Sequence, residues 1–319
     1  MNRIFSTLLF LPLLFAGSSG CGDSSNAEDS GDRGDRVEEH AGRLPQPGGA
    51  FGDYWYQGKA ELSRFRLEQA RYGEIREGDA VLIFVTEDFL TDAQVKLESD
   101  PGDRPYGKIL KLNMTKSFLT GLYPYSMMTS VFTPVGENAD DRTLKVTTSS
   151  QEWCGHTFTQ LNRAEKGTYR VREYSYFEGE GDRDESIAVD LLEDELWTRI
   201  RIDPASLPLG TVRVLPGTMT ARLRHTPHRP LDANTSIVDL PPTADGATRR
   251  YTIEYTDPAR TLMIDFRKEF PHDIVAFSET YNDFGEVLTT RAVRTDTILI
   301  DYWSRNASAD TVLRKELGL

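Results

Sequence analysis

Apolar and polar side chains alternate at period two along most of this chain. Phe65 and Leu67 stand between Arg64, Arg66 and Glu68, and Leu110, Leu112 and Met114 are separated by Lys111 and Asn113. Leu144 and Val146 follow the same rule, as do Tyr251, Ile253 and Tyr255, and then Leu262, Ile264 and Phe266. This spacing puts one set of side chains on one face of a strand and the other set on the opposite face. Residues 81–85 are an unbroken apolar run, which predicts a strand covered on both faces. Turn residues punctuate the runs at Gly78, Pro101 and Gly102, Gly136, Gly167, Gly246 and Gly285. Strands joined by such short turns pair antiparallel, because parallel pairs need long crossovers. The expected fold is therefore mostly β: a long curved antiparallel sheet, as a sandwich or an open barrel or roll, with a few short helices.

Two helices are predicted. Asp190 with Glu193 reads as a capping box, Leu192, Leu196 and Ile200 share one face, and Pro204 ends the run. Residues 310–317 form the second, with Asp310 as its cap and Gly318 after it. A seam near residue 216, at Pro216 and Gly217, offers a possible division, but nothing linker-like stands there, so residues 51–319 are read as one β-rich domain.

The N-terminal stretch breaks the pattern. It carries Arg3, an apolar run over residues 8–16, small residues at 17–20, and then Cys21. That is the plan of a secretory signal, and the apolar run is too short to span a bilayer. A cysteine directly after Ser18, Ser19 and Gly20 points to a bacterial lipoprotein, with residues 1–20 as the signal peptide and Cys21 as the lipid attachment site. Two or three acyl chains, at about 0.8 kcal/mol per buried methylene, hold a protein on a membrane where one chain does not. Gly22 stands where an Asp would signal inner-membrane retention in enteric bacteria, so the expected location is the cell envelope on the outer membrane. Residues 21–50 are rich in Gly, Ser, Asp and Glu and predict a flexible acidic tether. Its mean reach is roughly 30 Å.

The formal net charge of -13 disfavours a binder of nucleic acid phosphates. Arg222, Arg224, His225, His228 and Arg229 form a small basic cluster, read as a solvated strand face. With Cys21 lipidated, Cys154 has no partner for a disulfide. It lies in Gln151-Glu152-Trp153-Cys154-Gly155-His156. On a single strand Glu152, Cys154 and His156 would share a face, as a nucleophile with its base or a partial metal site. Buried cysteine and structural histidine are the plainer reading, because same-face neighbours stand roughly 6.5–7 Å apart. Glu178, Glu180, Asp182 and Asp184 suggest a cation loop, but Arg183 and Val189 break the EF-hand pattern and a hairpin tip explains them. Trp153, Tyr125, Tyr176 and Glu178 are candidate ligand-binding residues. No metal site and no cofactor is expected.

Several blocks together resemble a known family. They are residues 53–56 (Asp-Tyr-Trp-Tyr), 69–74 (Gln-Ala-Arg-Tyr-Gly-Glu), 123–126 (Tyr-Pro-Tyr-Ser), 151–156, 176–180, Tyr302 with Trp303, and 313–319. They resemble a Bacteroidetes-type envelope lipoprotein family that often carries the label "septum formation inhibitor Maf". The resemblance implies an anchored envelope protein. True Maf proteins are cytoplasmic nucleotide pyrophosphatases of α/β fold with an N-terminal Ser-x-Ser-x-Arg-Arg motif, and no such motif stands near this start. The leading expectation is a non-catalytic envelope lipoprotein whose curved sheet binds an apolar or peptide-like ligand or docks on an envelope protein. The alternatives are an anchored enzyme using Glu152, Cys154 and His156, and a nucleotide pyrophosphatase.

Overall fold

The computed structural model describes residues 47–136, 142–165, 167–244 and 246–319. The expected signal peptide, Cys21 and most of the expected tether lie outside the described residues. The folded body opens with α1 (Gly49–Trp55), which crosses the expected boundary at residue 50. Phe51 and Trp55 on this helix are buried, which is why it belongs to the body rather than the tether.

Sixteen strands form one sheet. β1 (Ala60–Arg71) and β2 (Glu74–Leu90) make a long hairpin, and the two-residue β3 (Val95–Lys96) folds back on β2. β4 (Tyr106–Thr120), β5 (Tyr123–Pro134), β6 (Lys145–Glu152), β7 (Gly155–Arg163), β8 (Thr168–Ser175) and β9 (Arg183–Ala188) follow as neighbours. The middle of the chain is irregular: β10 (Leu191–Leu192), α2 (Leu196–Ile202), β11 (Gly210–Leu215) and α3 (Thr218–Arg224). β12 (Leu231–Asp239), β13 (Thr248–Thr256), β14 (Ala259–Arg267), β15 (Ile274–Asp283) and β16 (Glu286–Ile300) lead to a C-terminal α4 (Val312–Glu316). β16 returns to pair with β1, so the sheet grows outward from β1 in both directions. Each pair is antiparallel except β10 with β11.

The two edges of this sheet are β9 and β10, and only Val189 and Asp190 separate them in the chain. Three Cα steps of about 3.8 Å hold Ala188 and Leu191 within about 11 Å. The sheet therefore curls round until its edges almost meet, as a barrel left open at one seam. Register slips at Arg64/Phe65 and at Asp265/Phe266 add local bends. Gly78 in β2 meets the backbone of β4, where a Cβ would overlap the Ser117 carbonyl oxygen.

What fills the barrel is its own middle segment. Arg201 on α2 donates to Glu61 on β1 through two bonds of 2.7 Å. Trp197 packs on Phe277 of β15, and Thr198 shares a 2.6 Å hydroxyl bond with Thr133 of β5. Thr218 at the start of α3 bonds Thr148 of β6. One short segment thus touches strands from both halves of the sheet, which only a curled sheet allows. A buried polar layer ties it in further. Arg260 of β14 donates to both oxygens of Glu193 at 2.6 Å and to Glu279 at 2.5 Å, and Tyr255 donates to Glu193 at 2.6 Å. A cavity of about 40 Å³ lies beside these charges, room enough for water.

The run at residues 81–85 is covered on both faces. Leu82 and Phe84 join the interior core, while Val81, Ile83 and Val85 pack outside with Leu317 from the C-terminal turn.

Helix placement departs from the pattern in two places. Asp190 does not cap a helix: Leu191 and Leu192 are drawn into pairing with β11, and the helix begins at Leu196. Glu193, the expected capping partner, is instead bound to Arg260. Pro216 and Gly217 form the short link from β11 to α3. At the C-terminus a tight turn leads into α4, and Asp310 accepts the backbone N–H of Ala307 at 2.9 Å. Among the described residues, no helix is long and apolar enough to cross a membrane.

Candidate functional site

One rim of the barrel gathers the hairpin tips of β1–β2, β4–β5, β6–β7, β8–β9 and β15–β16, together with the end of α3. Arg71, the last residue of β1, organises it. Its guanidinium donates to the Leu223 carbonyl on α3, to Tyr72 Oη at 3.1 Å and to Tyr125 Oη at 2.9 Å. Tyr72 and Tyr125 share a 2.7 Å hydroxyl bond. Tyr125 is therefore a buried support within this network, stacked on Phe118.

The expected Glu152, Cys154 and His156 face does not form. Glu152 ends β6, Trp153 and Cys154 make the turn, and Gly155 opens β7, so the three residues do not lie on one strand. Trp-Cys is an unusual turn pair, which hid the turn. Cys154 is exposed, as is His156, correcting the reading of a buried thiol beside a structural histidine. Among the described residues no hydrogen bond joins Cys154 to His156. The Glu152 carboxylate accepts the Cys154 backbone N–H at 2.6 Å and pushes the thiol pKa above its ordinary value. An exposed thiol held protonated is a weak nucleophile.

Glu152 points inward instead, to Arg222 on α3 at 3.6 Å. The basic cluster is not a solvated strand face, since Arg222 and Arg224 lie on α3 and Arg222 and His228 are buried. Met219 and Leu223 at helical spacing, and basic residues crowding the last turn, are the sequence signals for that helix. α3 ends at His225, whose left-handed backbone lets its N–H reach the carbonyls of Ala221 and Arg222.

Between α3 with its following loop and strands β7 and β8 lies a cavity of about 190 Å³. Glu173, Glu180, Arg183, Arg222, His225 and His228 bring charge of both signs to its wall. His228 Nε2 stands 3.1 Å from Glu173 Oε1, and His225 Nδ1 is 2.6 Å from Glu180 Oε1. Arg222 lies over the Phe177 ring at 4.6 Å. Two nitrogens here have no hydrogen-bonding partner among the described residues: Arg222 Nε and His228 Nδ1, on side chains that are both more than nine-tenths buried. Thr157 and Thr159 of β7 add hydroxyls.

None of the expected ligand residues Trp153, Tyr125, Tyr176 and Glu178 lines this cavity. Tyr176 lies against Gly155, leaving no room for a Cβ there, and it contacts Phe177 at 4.4 Å. Trp153 stacks on Tyr123 at 6.4 Å and is otherwise exposed, as is Glu178 in the β8–β9 connection. Among the described residues, no group of three or more His, Cys, Asp or Glu side chains is placed to hold a metal ion.

Comparison with family models, with curated proteins and with solved structures gives no match.

Proposed function

We propose that this chain is a lipid-anchored envelope protein, held on the outer membrane through Cys21, that binds a small peptide-like ligand in the rim cavity. The observation that carries the binding reading is the pair of unpartnered nitrogens on buried Arg222 and His228. Burying such groups without partners is unfavourable, and a ligand that supplies them recovers that loss. Walls with both carboxylates and cations suit a group bearing both signs, such as the end of a short peptide. A volume of about 190 Å³ lies below the roughly 300–1,000 Å³ of drug-sized pockets, so a terminus or one or two residues fit better than a large cofactor. The anchor rests on the signal layout before Cys21.

The test is calorimetric titration of the full chain with a panel of dipeptides of differing charge. Saturable binding that disappears in Arg222→Met is expected. No binding across the panel, with the protein folded, counts against the reading.

A second reading is favoured by one observation. Glu173 at Nε2 leaves Nδ1 of His228 free, and an imidazole oriented by a carboxylate is suited to general-base work. An anchored hydrolase would use His228 and Glu173 rather than Cys154. Turnover of the same dipeptides, lost in His228→Gln, separates it from simple binding. The fold, a largely antiparallel β sheet, is not the α/β one implied by the Maf label, and hydrolysis of nucleoside triphosphates is not expected.

A further inference from the structure

The same rim carries a second feature that the cavity does not use. Hairpin tips usually hold Gly, Asn or Asp, whose short or absent side chains suit the turn. Gly73, Gly121 and Gly285 take that role here, and beside such turn residues the tips also carry Leu122, Phe284, Trp153 and, on the β8–β9 connection, Tyr176, which are 80, 73, 68 and 60% exposed. Leu119 and Val287 beside them are also exposed. Contacts link Phe284 to Trp153 across part of the rim, passing through the buried Tyr125. Phe284 meets Tyr72 edge-on at 5.4 Å, Tyr72 bonds Tyr125, Tyr125 meets Tyr123 at 5.9 Å, and Tyr123 stacks on Trp153 at 6.4 Å. Arg71 holds the base of this row through Tyr72, Tyr125 and the Leu223 carbonyl. Phe284 and Trp153 are thus held by one chain of contacts, and Leu122 and Tyr176 stand exposed at other tips of the same rim. Several exposed large apolar side chains gathered at one end of a barrel mark a contact surface.

We infer that this crown seats on the surface of a lipid bilayer with uncharged or zwitterionic head groups. Trp, Tyr and Phe at loop tips suit the interface, where one end of the ring is apolar and the other wet. The surrounding charge indicates which lipids. Glu74, Glu178, Asp182 and Glu286 are exposed at these turns, whereas Arg76, Arg183 and Arg224 at the end of α3 are half-buried and Arg222 is buried, so the rim mixes both signs and is not the basic surface that recruits anionic lipid.

The length of chain before the body makes the contact possible, a step that rests on the lipid-anchor reading. α1 packs on Phe84 and Thr86, well along β2 from its turn at Gly73, so the body's chain enters away from the crown. β2 has 17 residues, about 56 Å at roughly 3.3 Å each. Residues 21–46 extend to roughly 85–95 Å when straight. The anchored body can therefore turn its crown onto the bilayer that holds its lipid. The mouth of the rim cavity would then open at the membrane surface.

The test uses the lipidated full chain in phosphatidylcholine vesicles. With Cys21 acylated, Cys154 beside Trp153 is the only thiol and takes an environment-sensitive fluorophore. Expected are a blue-shifted emission, quenching by lipids brominated in the upper acyl chain, and little change between low and high salt. The double variant Leu122→Ser with Phe284→Ser should return the emission to its value in water while vesicle flotation is unchanged. Flotation reads the anchor and the fluorophore reads the crown. A chain that floats with Cys154 in water overturns this inference and leaves the anchor standing. A natural chain that floats with the blue shift, beside a double variant that no longer floats, overturns the anchor and keeps the crown. A signal from neither overturns both.

Discussion

Nε2 of His228 stands 3.1 Å from Oε1 of Glu173, at the wall of the rim cavity. A carboxylate accepts, so the neutral ring must carry its proton on Nε2 and present Nδ1 as a bare acceptor. Long-range nitrogen–proton NMR should read His228 as the Nε2–H tautomer. An Nδ1–H tautomer would mean that the Glu173 contact does not orient the ring.

Glu61 and Arg201 fasten the inner segment to β1, and both are almost wholly buried. Removing one partner of such a pair leaves a buried charge uncompensated. Glu61→Ala should lower stability by about 3–5 kcal/mol in chemical denaturation. Replacing both residues with apolar ones of similar size should cost clearly less than the single change. A single-variant loss below about 1 kcal/mol would show that the pair does not hold the segment in place.

Burial pushes the Asp194 carboxyl up to about 6, although the Thr218 N–H works against the rise. Its neighbours include Glu193, which raises the value, and His228, which lowers it. A carboxyl whose folded value lies above its unfolded value of about 3.9 binds the proton more tightly when folded. The stability it contributes is fully present below about pH 4 and is lost as pH rises through about 6. Asp194→Asn keeps an acceptor for Thr218 and should be more stable than the natural chain by roughly 2 kcal/mol at pH 7. At pH 4 the difference should vanish. An equal difference at both values would show that Asp194 is not held neutral.

These residues also show how far the sequence could be read. Period-two alternation marked strands at residues 64–68, 110–114, 250–255 and 262–267 and the two-sided run at 81–85, because burial on one or both faces is written locally, but the turn expected at Gly78 falls inside the continuous β2. Asp190 failed as a cap because a distant strand, β11, claims Leu191 and Leu192, and Glu193 serves Arg260, 67 residues away. The rim cavity was unreadable for the same reason: Glu173 and His228 meet only when α3 is folded inside the barrel. Of the expected Glu152, Cys154 and His156, it is Glu152 that reaches the site, through Arg222.

The Cys154 thiol is exposed and raised in pKa chiefly by its hydrogen bond with Glu152. Iodoacetamide should therefore alkylate it completely but more slowly than a free cysteine at neutral pH. Glu152→Gln should speed the reaction about threefold or more, by releasing the thiolate. A natural chain that reacts faster than free cysteine would restore Cys154 as a candidate nucleophile.

Gly78 permits the close approach of β2 to β4, since a Cβ would overlap the Ser117 carbonyl oxygen. Gly78→Ala should cost about 3 kcal/mol, as overpacking against backbone cannot be relieved by a rotamer change. A loss within about 0.5 kcal/mol would place the two strands further apart than described.

The binding reading is tested most directly by native mass spectrometry of the full chain, extracted in mild detergent from the envelope of its own cells. The predicted result is a fraction carrying an added mass that mild activation releases, and that is absent from Arg222→Met and His228→Phe chains of unchanged thermal stability. A bare mass for the natural chain, or an adduct that both variants retain, would contradict a ligand in the cavity between Glu173 and Arg222.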